Sequence, residues 1–172
     1  IDDVSLSIRL GETLGLVGES GSGKTTLAMA LMRLLPPLLD KGLTGEIVYD
    51  GRDIAKLDKN QLATLRGSEI SMILQDPMAS LNPVFSVGNQ LKEGLRRHAT
   101  GEGTLEERAI RALEDVRIPS PQTRLGNYPH QMSGGMRQRV VGAIALTRAP
   151  RLLIADEPTT SLDVTIQYQF LE

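Results

Sequence analysis

The 172-residue chain carries 19 Lys and Arg against 21 Asp and Glu, a formal charge of −2, with 40% hydrophobic and 3% aromatic residues. That is enough chain for one compact domain with a real core, and the near-neutral balance, with neither a basic stripe nor interleaved aromatics, excludes a nucleic-acid footprint or a base-stacking platform. The absence of cysteine excludes disulfides, thiolate metal sites and iron–sulfur ligation within the segment and fits a reducing cytoplasm. No apolar run approaches the roughly 18–20 residues that a membrane span needs. The chain opens at Ile1-Asp2-Asp3 with no signal peptide and stops at Glu172 inside a helical pattern, so a fragment of a longer protein is expected.

In chain order, Val4, Leu6, Ile8 and Leu10 alternate with polar residues and predict a half-buried strand. Thr13 to Val17 predicts a short apolar strand running into a glycine loop. Thr25 to Leu35 reads as a helix stopped by Pro36-Pro37. Glu46 to Tyr49 is a further strand closed by the turn Asp50-Gly51. Asp58 caps a helix to Leu65, and Ile70 to Leu74 is a strand that delivers Gln75 to its end.

Beyond Gln75 the strand patterning gives way to turns and helices. Leu105, Ala109, Ile110, Leu113 and Val116 recur at helical spacing behind Thr104, with Glu106 and Glu107 in the first turn. Ser133 caps a helix through Leu146, Leu152 to Ala155 is an apolar strand, and a last helix is expected from Asp163. A strand-rich core, a helical insertion and a return to the core is the expected plan.

Gly18-Glu19-Ser20-Gly21-Ser22-Gly23-Lys24-Thr25 matches G-x-x-x-x-G-K-[ST] at every fixed position. The glycines let the backbone wrap close to phosphate oxygens, so successive N–H groups converge on an anion. Lys24 supplies a point charge for the β- and γ-phosphates, and Thr25 a hydroxyl for Mg²⁺, which favours oxygen ligands. The helix that follows adds its positive end, with Thr26 beside the same phosphates. The bland reading is a flexible glycine turn before an amphipathic helix.

Leu152-Leu153-Ile154-Ala155-Asp156-Glu157 sets two carboxylates at the C-terminal end of an apolar strand, the edge where ligands bind in open α/β sheets. Asp156 suits Mg²⁺, and Glu157 suits a general base that polarises an attacking water. A solvated Asp-Glu turn before Pro158 is the alternative. Ser133-Gly134-Gly135 is a small-residue cap opening a helix, built to present N–H groups to a second anion; a capping turn alone is the alternative.

The order phosphate loop, Gln75, Ser133-Gly134-Gly135, Asp156-Glu157, then Ser161-Leu162-Asp163 resembles the nucleotide-binding subunit of an ABC transporter over nearly the whole chain. Gln75-Asp76-Pro77-Met78 and Tyr128 to Arg139 look like the dipeptide, oligopeptide and nickel importer branch. Met136, where the general family pattern has Gln, agrees with that branch. The resemblance implies a P-loop NTPase (RecA-like) α/β core with an antiparallel β segment and an inserted α-helical subdomain. Residues 1–75 and 150–172 would form the core, the second part truncated, and 76–149 the helical subdomain.

By position, the resemblance gives Gly18, Glu19, Ser20, Gly21, Ser22, Gly23, Lys24, Thr25 and Thr26 to the triphosphate of ATP, and Thr25, Gln75 and Asp156 to Mg²⁺. Glu157, Gln75 and Lys24 would be catalytic. Ser133, Gly134 and Gly135 would clamp the γ-phosphate held by a second ATP-binding subunit, with Asp163 in the loop joining the two sites. Gln75 as a surface amide and Asp163 as a plain helix-terminal charge stay open beside these roles. Arg137 and Arg139 read as solvated or interdomain, and His98 and His130 as surface or packing residues.

The implied protein is an ATPase at the cytoplasmic face of the cell membrane, working with transmembrane permease subunits and, indirectly, a solute-binding protein, and with no nucleic acid. The adenine-stacking aromatic would precede Ile1 and the switch histidine would follow Glu172, so the segment alone is expected to be a poor ATPase. A soluble ABC-type ATPase acting on DNA or ribosomes, and a non-catalytic nucleotide-binding module, are the rival readings.

Overall fold

The computed structural model describes residues 1–96 and 102–159. Asp163, the helix expected from it and His98 lie outside the described residues. The chain divides into two units, Ile1–Ala63 and Thr64–Glu172.

In the first unit, helix α1 (Lys24–Leu31) follows the glycine loop. It ends earlier than the proline pair would dictate. Arg33 takes a left-handed backbone, φ 49°, and the amides of Arg33 and Leu34 close on Ala30 O and Met29 O at 2.9 and 2.8 Å. This is a Schellman closure, which ordinarily takes glycine. Here an arginine bears the strain and returns contacts: its guanidinium donates to Ala55 O at 2.9 Å and to Asp40 Oδ2 at 3.1 Å. Those contacts tie the end of α1 to α2 (Pro37–Asp40) and to the 3₁₀ turn Ile54–Lys56.

The expected strand at Glu46 shortens to β1 (Val48–Tyr49), paired antiparallel with β2 (Arg52–Asp53). Asp50 and Gly51 both have positive φ, 48° and 74°, the signature of a two-residue I′ hairpin turn. The expected strands at 4–10 and 13–17 do not form a ladder; Leu10 and Val17 are 90% and 92% exposed. Alternation reports which face could be buried, but a strand also needs a neighbour's hydrogen-bonding edge. Among the described residues of this unit the only ladder is the β1–β2 hairpin. The unit ends within α3 (Lys59–Ser68), at whose start Asp58 Oδ1 accepts from the amides of Asn60 and Gln61 at 2.8 and 2.9 Å and Gln61 Oε1 accepts from Asp58 N at 3.0 Å. That reciprocal cap fixes the helix start where the sequence put it.

In the second unit, β3 (Ile70–Ile73) and β4 (Leu152–Ala155) pair in parallel, Ile70 opposite Leu152 and Ile73 opposite Ala155. A parallel pair demands a crossover, and among the described residues it carries five α-helices: α4 (Pro77–Ser80), α5 (Val87–Arg96), α6 (Leu105–Asp115), α7 (Pro121–Arg124) and α8 (Gly134–Leu146). Val87, Leu91, Ala109, Leu113 and Val140 are fully buried in one cluster that also takes in Ile73, so the helices share their core with the strand beneath them. Burying each such Val or Leu is worth roughly 1.5–3 kcal/mol.

The caps follow the sequence. Thr104 Oγ1 accepts from Glu107 N at 3.2 Å while Glu107 Oε2 accepts from Thr104 N at 2.7 Å. The Thr104 N–H, followed by the Thr104 hydroxyl, holds the Glu107 carboxyl below its ordinary value. At its other end α6 repeats the closure of α1, with Arg117 at φ 56° and Ile118 N donating to Leu113 O at 2.9 Å.

Candidate nucleotide site

In the first unit the loop Gly18 to Ser22 is exposed and runs into α1. Gly21 and Gly23 sit at φ 80° and 96°, a conformation that costs other L-residues about 1 kcal/mol or more. Gly18 meets a different constraint: a Cβ there would lie 2.8 Å from Ser22 Oγ. Gly23 caps α1 without any side-chain bond, so no side chain competes for the first N–H groups of the helix. Lys24 Nζ donates to Gly18 O and Glu19 O at 2.8 and 2.9 Å. The ammonium is therefore folded over the loop that its own backbone follows. Thr25 is exposed and Thr26 half-buried on the opening turn of α1.

In the second unit the register of the parallel pair does the positioning. Ile73 opposite Ala155 puts the residues just beyond each strand side by side. Asp156 N continues the ladder by donating to Ile73 O at 2.9 Å. One residue further along each chain, Gln75 Nε2 donates to Glu157 Oε2 at 2.8 Å across a separation of 82 residues. Glu157 adopts φ 47°, which turns the chain out of the strand direction. Gln75 and Glu157 are exposed, whereas Asp156 is 7% exposed and its Oδ2 is buried with no hydrogen-bond partner. An orphaned carboxylate oxygen at a strand end suits a hard cation, as does an amide whose Oε1 takes no part in the bond to Glu157. The oxygen donors Asp156 and Gln75 of this unit therefore fit Mg²⁺ by chemistry; the Thr25 hydroxyl of the first unit is, taken by itself, a donor of the same kind.

Ser133 caps α8, its Oγ accepting from Met136 N at 3.3 Å. Ser133 is exposed, and Gly134 and Gly135 are half-buried on the first turn. A Cβ on Gly134 would meet nothing within 4 Å, so the cap faces open space. His130 is exposed and stacks on Tyr128 with ring centroids 5.7 Å apart. Arg137 and Arg139 depart from the solvated reading, because each is half-buried and bonded. Arg139 Nη1 donates to Arg117 O at 2.6 Å, and Arg137 Nη1 to Met78 Sδ at 3.0 Å. Nothing in the periodicity announces the second contact, because it pairs an arginine with a thioether. Gln138 is fully buried, with both amide atoms lacking a partner.

Set beside known proteins, the fold is that of the P-loop NTPases, in the form of an ATP-binding cassette. It matches the dimeric, post-hydrolysis structure of the cassette MJ0796 bound to ADP and Pi with a TM-score of 0.83 at 28% identity, covering 96% of this chain and 69% of that one. It also matches cbiO1 from Clostridium perfringens, part of the cbiONQ transporter complex, with a TM-score of 0.76 at 28% identity, covering 96% of this chain and 62% of that one.

Residues 1–160 match the ABC transporter family, and the chain belongs to it. It is 50% identical over 169 residues to a probable peptide ABC transporter ATP-binding protein, y4tR, of Sinorhizobium fredii, covering 98% of this chain and 50% of the relative. It is likewise 50% identical over 173 residues to the oligopeptide transport ATP-binding protein OppD of Bacillus subtilis, covering 100% of this chain and 48% of that protein. The chain thus spans about half the length of these relatives. Among the described residues no helix is long and apolar enough to cross a membrane.

Proposed function

We propose that the complete protein is the ATP-hydrolysing motor subunit of an importer for peptides (or nickel), bound peripherally at the cytoplasmic face of the membrane. Its partners in this reading are a second ATP-binding subunit, transmembrane permease subunits and, through them, a solute-binding protein. Residues 1–75 and 150–172 act as the ATPase core and 76–149 as the helical subdomain. The observation that carries the reading is the Gln75–Glu157 hydrogen bond at the ends of the parallel strands. It brings an amide and a carboxylate to one point, where one orients a water and the other accepts its proton.

In this reading the loop Gly18 to Thr26 wraps the triphosphate, and Lys24 exchanges two backbone carbonyls for phosphate oxygens. Thr25, Gln75 and Asp156 would hold Mg²⁺, which when bound would neutralise charge on the phosphate oxygens. Glu157 takes the proton of the attacking water. Ser133, Gly134 and Gly135 reach the γ-phosphate bound by the partner subunit. Only the triphosphate contacts both halves, so ATP favours the closed pair and its hydrolysis products do not.

Glu157→Gln in the complete protein tests the reading. A positioned base contributes about 10²–10⁴-fold, so phosphate release should fall by at least about a hundredfold while ATP binding persists. Normal turnover would remove Glu157 as the base.

A further inference from the structure

We propose that Arg137 is a positioning residue that links the signature run at Ser133 to the Gln75–Glu157 pair through the thioether of Met78. The inference rests on the dimeric reading given above. Arg137 makes two bonds, one from its backbone and one from its side chain. Its backbone N–H donates to Ser133 O at 3.0 Å, closing the first turn of α8. Its guanidinium Nη1 donates to Met78 Sδ at 3.0 Å.

Met78 lies on α4, a helix of 4 residues. A single turn has little stability of its own, so its seating depends on what holds it. At its start Asp76 Oδ1 accepts from Met78 N at 2.8 Å, and Gln75, immediately before, is bonded to Glu157 at 2.8 Å. The contacts therefore run without a gap from Glu157 to Gln75, around the Asp76 cap to Met78, and from Met78 to Arg137 and Ser133.

The Arg137 side chain is committed to this path. Its Nε is buried with no hydrogen-bond partner, a desolvated donor that would be cheaper left in water. Thioether sulfur is only a weak acceptor, so the contact can release and re-form as α4 moves. In the proposed cycle Gln75 answers to the ATP held by its own subunit and Ser133 to the ATP held by the partner. Arg137 is then the part that makes the two events depend on one another.

A double-mutant cycle in the complete Glu157→Gln protein tests this, with MgATP-driven association read by sedimentation and nucleotide affinity of the isolated subunit read by fluorescence titration. Arg137→Met keeps an apolar stem and Met78→Leu keeps volume while removing sulfur. Each should weaken association by about tenfold, and the pair together no more than either alone, because residues sharing one contact are not additive. Affinity of the isolated subunit for ATP should stay within about twofold, an outcome that general misfolding would not give. Arg137→Lys, which keeps charge and a donor, should stay within about threefold of the parent. Additive penalties, or association unchanged in Arg137→Met, would overturn the proposal. A parent that fails to associate with MgATP would instead overturn the dimeric reading on which it rests.

Discussion

Lys24 donates its ammonium to two carbonyls of its own loop, Gly18 O and Glu19 O, so a triphosphate competes with bonds the protein already makes. Lys24→Ala removes both the phosphate partner and the clasp that shapes the loop. A charge-assisted contact of this kind is worth about 1.5–3 kcal/mol, so ATP affinity should fall at least about tenfold in calorimetric titration. Unchanged affinity would sink the phosphate-loop assignment. At this scale the sequence was readable wherever a residue type has one evident use: the glycines of the loop, the lysine after them, the paired carboxylates. Where a role depends on a partner far along the chain, it was readable only through the order of the motifs, as for Gln75, or not at all, as for Arg137. Gln75 is a plain amide until strand register sets it against Glu157, and Arg137 is a plain charge until Met78 accepts its N–H.

Among the elements, helix starts were legible and helix ends less so. Thr104, Asp58 and Ser133 each carry a side-chain oxygen that satisfies amides of the following turn, a local rule that needs no tertiary information. The end of α1 was obscured because arginine occupies the left-handed position that glycine usually marks. The strands expected at 4–10 and 13–17 failed for the opposite reason, since pairing is never written in one strand alone. Packing between elements also sets tight positions. Gly88 N donates to Leu125 O at 2.9 Å, and a Cβ at Gly88 would stand 2.8 Å from that same carbonyl oxygen. A backbone atom cannot rotate away, so Gly88→Ala should destabilise the fold by about 1–3 kcal/mol despite the better helix propensity of alanine. Chemical denaturation checks this, and a variant as stable as the parent would show that α5 can shift.

For the whole molecule, fold and family were legible because five separated motifs occur in a fixed order along the chain. The match to cassette structures at a TM-score of 0.83 bears out the P-loop class. The Ser133 assignment belongs at this scale too, since its proposed ligand is held by another subunit. Ser133→Arg should leave ATP binding by the isolated subunit intact and abolish ATP-driven association in sedimentation. Association that persists would end the trans-acting role.

The empty space around Gly134 separates two kinds of constraint. This glycine lies on ordinary helical backbone at the start of α8, and a methyl group there would touch nothing within 4 Å. The subunit by itself gives no reason for glycine; alanine would even suit the helix better. Gly88 is different, because an added carbon collides with a backbone carbonyl oxygen. Damage at Gly88 is thus an injury to the subunit, visible in the protein alone. Damage at Gly134, if the proposed dimer holds, is an injury to an encounter: a variant there should be soluble, stable and nucleotide-bound, and fail only on meeting its partner.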